Sequence, residues 1–134
     1  MAVEWTEDLS TDVALIDEQH KEIFRRVNNM LEACKTGKGK DAVSGMLLFM
    51  EEYVVSHFKA EEKAQKEVAY PRYTQHKAMH DRFLEDVQDL KVKFEVEGPT
   101  LTMVLLTNKV IVDWLVQHIK KTDREFGQYM KQFK

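Results

Sequence analysis

The chain predicts an all-α fold, an antiparallel up-and-down bundle of four helices preceded by an N-terminal arm. Three observations carry that expectation. Apolar residues recur in the three- and four-residue steps of a helical face along four long stretches. The 134 residues hold only five glycines and two prolines, and most of these fall between the stretches rather than inside them. Hydrophobic residues make up 43% and charged residues 32%, a balance that suits a helix-rich globular chain and disfavours disorder.

Residues 1–16 show no sustained period and are read as an arm laid across the bundle, with Trp5 as its hydrophobic anchor. The first stripe is Ile16, His20, Ile23, Phe24, Val27, Met30, Leu31 and Cys34, with Asp17 as its expected N-cap. The TGKGK segment at 36–40 ends it. A second helix is expected from about Asp41 to Lys66, carrying Val43, Met46, Leu47, Met50, Tyr53, Val54, His57, Glu61 and Ala64 on one face, until Tyr70-Pro71 breaks it. The third stripe reads His76, His80, Phe83, Val87, Leu90 and Phe94 before the turn at Gly98-Pro99. The fourth reads Leu101, Val104, Leu105, Ile111, Val112, Leu115, His118 and Ile119, followed by a short C-terminal helical segment through Phe126, Tyr129, Met130 and Phe133. Short loops between amphipathic helices make neighbours antiparallel, so residues 1–134 form one domain, an arm over 1–16 and a bundle from about 17 to 134. A chain of this length is one core's worth of protein.

Charge and cysteine usage narrow the function classes. A formal net charge of -3 and a pI near 6.0 supply no basic field for nucleic acid or for an anionic membrane. The longest apolar run, MLLFM at 46–50, is far too short to span a bilayer, and MAVEWTEDLS has acids where a signal peptide would have its apolar stretch. Cys34 is the one cysteine, so no internal disulfide and no cysteine-based zinc or iron-sulfur site can form. A cytoplasmic monomer, without nucleic-acid or membrane partners, is the expectation.

All five histidines fall on the apolar stripe of their helix, where a buried imidazole requires a partner. One such histidine is commonly a satisfied core residue. Five together point to metal. His57 and Glu61 are four apart, as are His76 and His80, so each pair projects from one helix face about a turn apart and can grip one ion. His118 and Asp123 are five apart, which places them about 140° apart on a regular helix. For both to face one site, the helix needs a π-type bulge or an opened turn just after His118.

These residues stand in the segments DEQH at 17–20, HFKAEE at 57–62, YPRYTQHKAMH at 70–80 and WLVQHIKKTD at 114–123, and in them the chain resembles the bacterial hemerythrin-like family. With the Trp5 arm, the resemblance covers essentially the whole chain. It implies two iron ions: His76, His80 and His118 on one, His20 and His57 on the other, with Glu61, Asp123 and an oxo or hydroxo group bridging them. Five histidine bonds, four from the carboxylates and two from the bridge make eleven, where two octahedral irons take twelve. The vacancy falls on the two-histidine iron, where the resemblance places dioxygen. Leu115, one turn before His118, is the expected lining of that oxygen pocket. No Glu-x-x-His occurs, which disfavours the carboxylate-rich site of ferritin-like oxidases.

Trp114, Phe24, Phe58, Phe83 and Ile119 are read as core that keeps water from the metals. Glu62 is read as a solvated acid, with acceptance from a ligand imidazole as the alternative. The chain departs from the family pattern at Gln65, where methionine is common, and at Asp12, where glycine is. The expected function is reversible dioxygen binding for transport, storage or sensing, with any signalling partner on a separate protein. The alternatives are a di-iron enzyme acting on peroxide, nitric oxide or a small substrate, and an iron-storage or metal-binding protein.

Overall fold

The computed structural model describes residues 2–132; Phe133, assigned above to the last helical stripe, lies outside them. Four helices form an all-α bundle. Helix α1 is Ala14–Lys35. Helix α2 runs as α-helix over Gly39–Phe49, takes π geometry at Met50–Val54, and returns to α-helix at Val55–Glu67. Helix α3 is Tyr73–Glu97. Helix α4 continues from Leu101–Thr107 through a π segment at Asn108–Val112, an α segment at Asp113–Gln117, a second π segment at His118–Asp123 and a last α segment at Arg124–Lys131. The C-terminal segment expected as a separate piece is therefore the end of α4. The π turn absorbs the change of phase between His118 and Phe126 without breaking the chain of helical bonds. No helix among the described residues is long and apolar enough to cross a membrane.

Short turns join the helices, so consecutive ones run antiparallel. The turn after α2 ends in a C-terminal cap built on Ala69, whose φ of +51° is the left-handed conformation. There the Tyr70 N–H donates to the Gln65 carbonyl at 2.9 Å and the Ala69 N–H to that of Lys66 at 3.1 Å. Helix α4 starts at Thr100, whose hydroxyl accepts from the Met103 N–H at 3.2 Å.

Two apolar clusters fill the interior. The larger runs from Leu9 and Ile23 through Met46, Val54, Phe58, Phe83 and Leu115. The smaller is Ile16, Tyr70 and Phe126, flanked by Val13, Tyr73 and Tyr129. Where the two clusters meet stand the histidines and acids singled out above: His20 between Ile16 and Ile23, His57 and Glu61 between Val54 and Ala64 around Phe58, His76 and His80 between Tyr73 and Phe83, His118 and Asp123 between Leu115 and Phe126. A buried polar layer thus divides the core.

The arm is fastened rather than draped. Asn28 clamps Val3 in both directions, accepting from its N–H at 2.8 Å and donating to its carbonyl at 2.9 Å. Trp5 is half-buried against the larger cluster, with the Lys21 ammonium 4.5 Å from its ring centre, so the anchor read from sequence is in place. Asp17 is not the N-cap of α1, which is Val13 in extended backbone. The helix begins one turn earlier than the stripe suggested. From inside that first turn, the Asp17 carboxylate accepts from the Thr11 N–H and hydroxyl, both at 2.8 Å, and from the Ser10 hydroxyl at 2.6 Å. It holds the arm's last bend, where Asp12 takes a φ of +60°. That conformation explains why glycine would be at home at position 12, and aspartate is among the side chains that tolerate it.

The arm crosses α4 at Gly127, where a methyl group would stand 2.5 Å from the Ser10 carbonyl oxygen. Backbone cannot swing aside as a flexible side chain can. Gly127→Ala should therefore destabilise the fold by about 1–3 kcal/mol through overpacking, despite alanine's better helix propensity of roughly 0.5–1 kcal/mol. Chemical denaturation of both proteins checks this; an unchanged or raised midpoint would mean the arm is free to lift.

Candidate metal centre

Seven side chains meet in the polar layer, and all seven are at least 96% buried: His20, His57, Glu61, His76, His80, His118 and Asp123. Each helix delivers its share by a local rule. Helix α1 gives His20; α2 gives His57 and Glu61 at i and i+4, on one face; α3 gives His76 and His80 in the same way. Helix α4 gives His118 and Asp123, and the π segment His118–Asp123 spans those two residues. Its i→i+5 bonding brings the fifth residue round to the face that the fourth would occupy in an α-helix.

The atoms that could hold a metal ion form two groups: Glu61, His76, His80, His118 and Asp123 in one, and His20, His57, Glu61 and Asp123 in the other. Both carboxylates belong to both groups, through different oxygens. Glu61 Oε1 lies 2.7 Å from His76 Nε2 and 3.3 Å from His80 Nε2, while Oε2 lies 3.3 Å from His20 Nε2 and 3.7 Å from His57 Nε2. Asp123 Oδ1 lies 2.9 Å from His76 Nε2 and 3.2 Å from His118 Nε2, while Oδ2 lies 3.0 Å from His20 Nε2. In the first group His118 Nε2 is also 3.0 Å from His76 Nε2 and 3.1 Å from His80 Nε2.

These separations suit an ion. Ligands about 2.1 Å from an octahedral centre lie about 3.0 Å from their neighbours, √2 times the bond length. The atoms are also placed badly for one another: the carboxylate oxygens of Glu61 and Asp123 and both ring nitrogens of His20 are buried without a well-directed hydrogen bond. Buried polar atoms converging on a common point without partners are a donor set awaiting a cation, and imidazole with carboxylate suits iron.

The far sides of three of the five rings are held. His57 Nδ1 lies 2.8 Å from Gln19 Oε1, His80 Nδ1 2.8 Å from Glu62 Oε2, and His76 Nδ1 2.9 Å from the Gln65 amide. Glu62 is therefore not the solvated acid read from sequence. It follows Glu61 by one residue, and the rotation this gives sends it to the rim rather than to solvent. Phe58 stacks on His80, with centroids 3.8 Å apart and planes at 2°, and Trp114 stacks on His118 at 4.3 Å and 11°. Trp114 also stacks on Phe83 at 3.9 Å. These aromatics, read from sequence as core that keeps water from the metals, also fix the planes of two imidazoles. Gln19 was not singled out at all; its one available signal was its place beside His20. Leu115, the expected pocket residue, is 1% exposed within the larger cluster.

Electrostatics follow from burial against charge. Burial alone would push His20 and His76 down, but the Asp123 and Glu61 carboxylates beside them prevail and hold each up at about 10. Burial, reinforced by the charge on His20, drives His57 down to about 3. Burial and mutual repulsion would raise Glu61, yet the His20, His76 and His80 imidazoles crowded against it bring it below its ordinary range. Asp123 is likewise held well below, by His118 and His20 against the penalty of burial.

The ion-free chain should show two opposed dependences on pH. His20 and His76 titrate above their unfolded value of about 6.5, so their contribution is complete below that value and is lost as the pH rises toward about 10. Glu61 and Asp123 titrate below theirs, so their contribution is present above about pH 4 to 4.5 and is lost as the pH falls further. His57 acts the other way from His20 and His76: held down at about 3, it costs stability as the pH falls below about 6.5. Ion-free stability should therefore peak at about pH 6. Metal binding must displace the imidazole protons, so affinity should rise with pH and binding should release protons. Denaturation across pH and proton release on metal addition measure both; metal binding that neither releases protons nor tightens with pH would contradict this electrostatic picture.

Comparison with known proteins bears on the whole domain. The family model described as the hemerythrin HHE cation binding domain matches residues 11–130. The chain is 35% identical over 124 residues to the bacteriohemerythrin of Methylococcus capsulatus, covering 92% of each chain. It is 29% identical over 127 residues to that of Stenotrophomonas maltophilia, covering 95% of this chain and 80% of the relative. With a hemerythrin-like protein of Naegleria gruberi it shares 33% identity over 111 residues, 83% of this chain and 79% of the relative. A four-helix bundle with a buried cluster of imidazoles and shared carboxylates, matched by that model over nearly its whole length, belongs to the hemerythrin family.

Proposed function

We propose that the chain holds two iron ions and binds dioxygen reversibly. The observation that carries this reading is the sharing of Glu61 and Asp123, each offering one oxygen to the three-histidine group and the other to the two-histidine group. One ion would be held by His76, His80 and His118, the other by His20 and His57, with Glu61 and Asp123 as bridges. The irons would supply the electrons and, on the two-histidine side, the open position that dioxygen needs. The chain supplies the rest: five neutral imidazoles that favour ferrous iron, two carboxylates that balance part of its charge, and an apolar surround that keeps water away. With so few carboxylates the site stabilises high-valent iron poorly, which favours binding over oxidation of substrates. The reading extends to a cytoplasmic monomer that delivers, stores or reports oxygen, the last through a separate protein partner.

Anaerobic addition of ferrous iron, followed by metal analysis and cycles of air and vacuum watched by absorption, is the test. Two irons per chain and a colour that returns in every cycle are expected. One zinc and no iron would overturn the di-iron reading, and irreversible bleaching with turnover of an added reductant or peroxide would make the chain an enzyme.

Leu115 is proposed to cover the open position, from one turn before His118. Leu115→Ala should leave a cavity costing roughly 2–5 kcal/mol if the site cannot collapse. Bordering polar ligands, that cavity would admit water, unlike a dry apolar one. At equal iron loading the variant should lose a larger share of its colour in each air and vacuum cycle. An equal loss in both proteins would return Leu115 to ordinary packing.

A further inference from the structure

Gln65 is a polar side chain with no exposed surface, one turn beyond Glu61 on α2. Its amide nitrogen lies 2.9 Å from His76 Nδ1, and its amide oxygen is buried without a hydrogen-bond partner. The other face of the same ring aims Nε2 into the polar layer, 2.7 Å from Glu61 Oε1 and 2.9 Å from Asp123 Oδ1. An imidazole that gives Nε2 to an ion keeps its proton on Nδ1, and that N–H must donate. An amide fills the same volume either way round, and a proton on Nδ1 selects the orientation that turns the oxygen toward the ring. The orphaned oxygen then gains a donor and the ring an acceptor.

We infer that Gln65 is a positioning residue for His76, accepting from Nδ1–H and so fixing the tautomer and plane in which Nε2 meets a metal ion. The inference rests on the metal-centre reading proposed above. Gln19 and Glu62 stand in the corresponding place for His57 and His80, but both are partly exposed and water can replace them. No water can replace Gln65 without the core opening, so its loss falls wholly on His76. Methionine fits the same space and offers only a weakly accepting sulfur. Glutamate keeps the size and is an acceptor whenever ionised.

The experiment compares the full chain with Gln65→Met and Gln65→Glu by anaerobic titration with ferrous iron against a competing chelator. Nitrogen-15 spectra of the histidine side chains, recorded with zinc as a diamagnetic probe, follow the Nδ1 proton directly. Gln65→Met should weaken binding of one ion roughly 10- to 100-fold and speed exchange of one imidazole proton, and Gln65→Glu should recover most of both. Binding by Gln65→Met as tight as the parent's, or equal weakening in both variants, would overturn the role of Gln65 and make it packing alone. Failure of the parent itself to bind ferrous iron would instead overturn the metal-centre reading.

Discussion

Two carboxylates at the centre of a helical bundle are the constraint on which the rest of this structure depends. Moving one such charge from water into a medium of low dielectric costs on the order of 20 kcal/mol in the Born limit and still several kcal/mol after relaxation. Glu61 and Asp123 are both essentially without exposed surface, and each raises the cost of ionising the other. Only cations converging on them offset that cost. Without metal the cations are the protons on His20 and His76; with metal, the ions themselves would take over. The same balance sets where each helix places its histidines, because an imidazole displaced by one residue would turn about 100° away from the carboxylates.

The helices bend their own geometry to meet that demand. Regular α-helix would have kept Asp123 off the face of His118, and the π segment between them restores it. A wide turn of this kind leaves backbone packing looser than in an α-helix, so it persists where surroundings hold it. Here Ile119, within the turn, packs into the larger cluster with Leu115, and Phe126, just after it, packs into the smaller with Tyr70. Rigidity then passes outward from ligand to support. Phe58 and Trp114 stack on His80 and His118, while Gln19, Glu62 and Gln65 take the far nitrogens of His57, His80 and His76. A ring fixed both in plane and in tautomer presents its free nitrogen in one direction, which limits the reorganisation that binding would require.

The arm shows how unfavourable backbone is accommodated away from the centre. Asp12 and Ala69 both adopt the left-handed conformation without being glycine, each in a bend that delivers a neighbour to the core. Asp12 sits in the loop gathered by the Asp17 carboxylate, and Ala69 caps α2 so that Tyr70 can pack against Phe126. Gly127 does the reverse work, its missing side chain allowing Ser10 to approach α4.

Helical periodicity and the spacing of histidine and acid along each helix are local properties, so the sequence by itself determined the all-α class, the four stripes, their breaks near 36–40, 70–71 and 98–99, and the turn that His118 and Asp123 require. Where a helix begins is less local: α1 starts at Ala14, one turn before the start an Asp17 cap would give, and the arm's hydrogen bonds gather on Asp17 inside that first turn. Relations between helices were decided only in tertiary structure. Which oxygen of Glu61 faces which histidine, that Glu62 reaches His80, that Phe58 lies flat on His80 and that Gln65 meets His76 all depend on the rotation and offset of packed helices. Those are set by the fit of side chains across the whole interior, and no window of sequence along a single helix contains them.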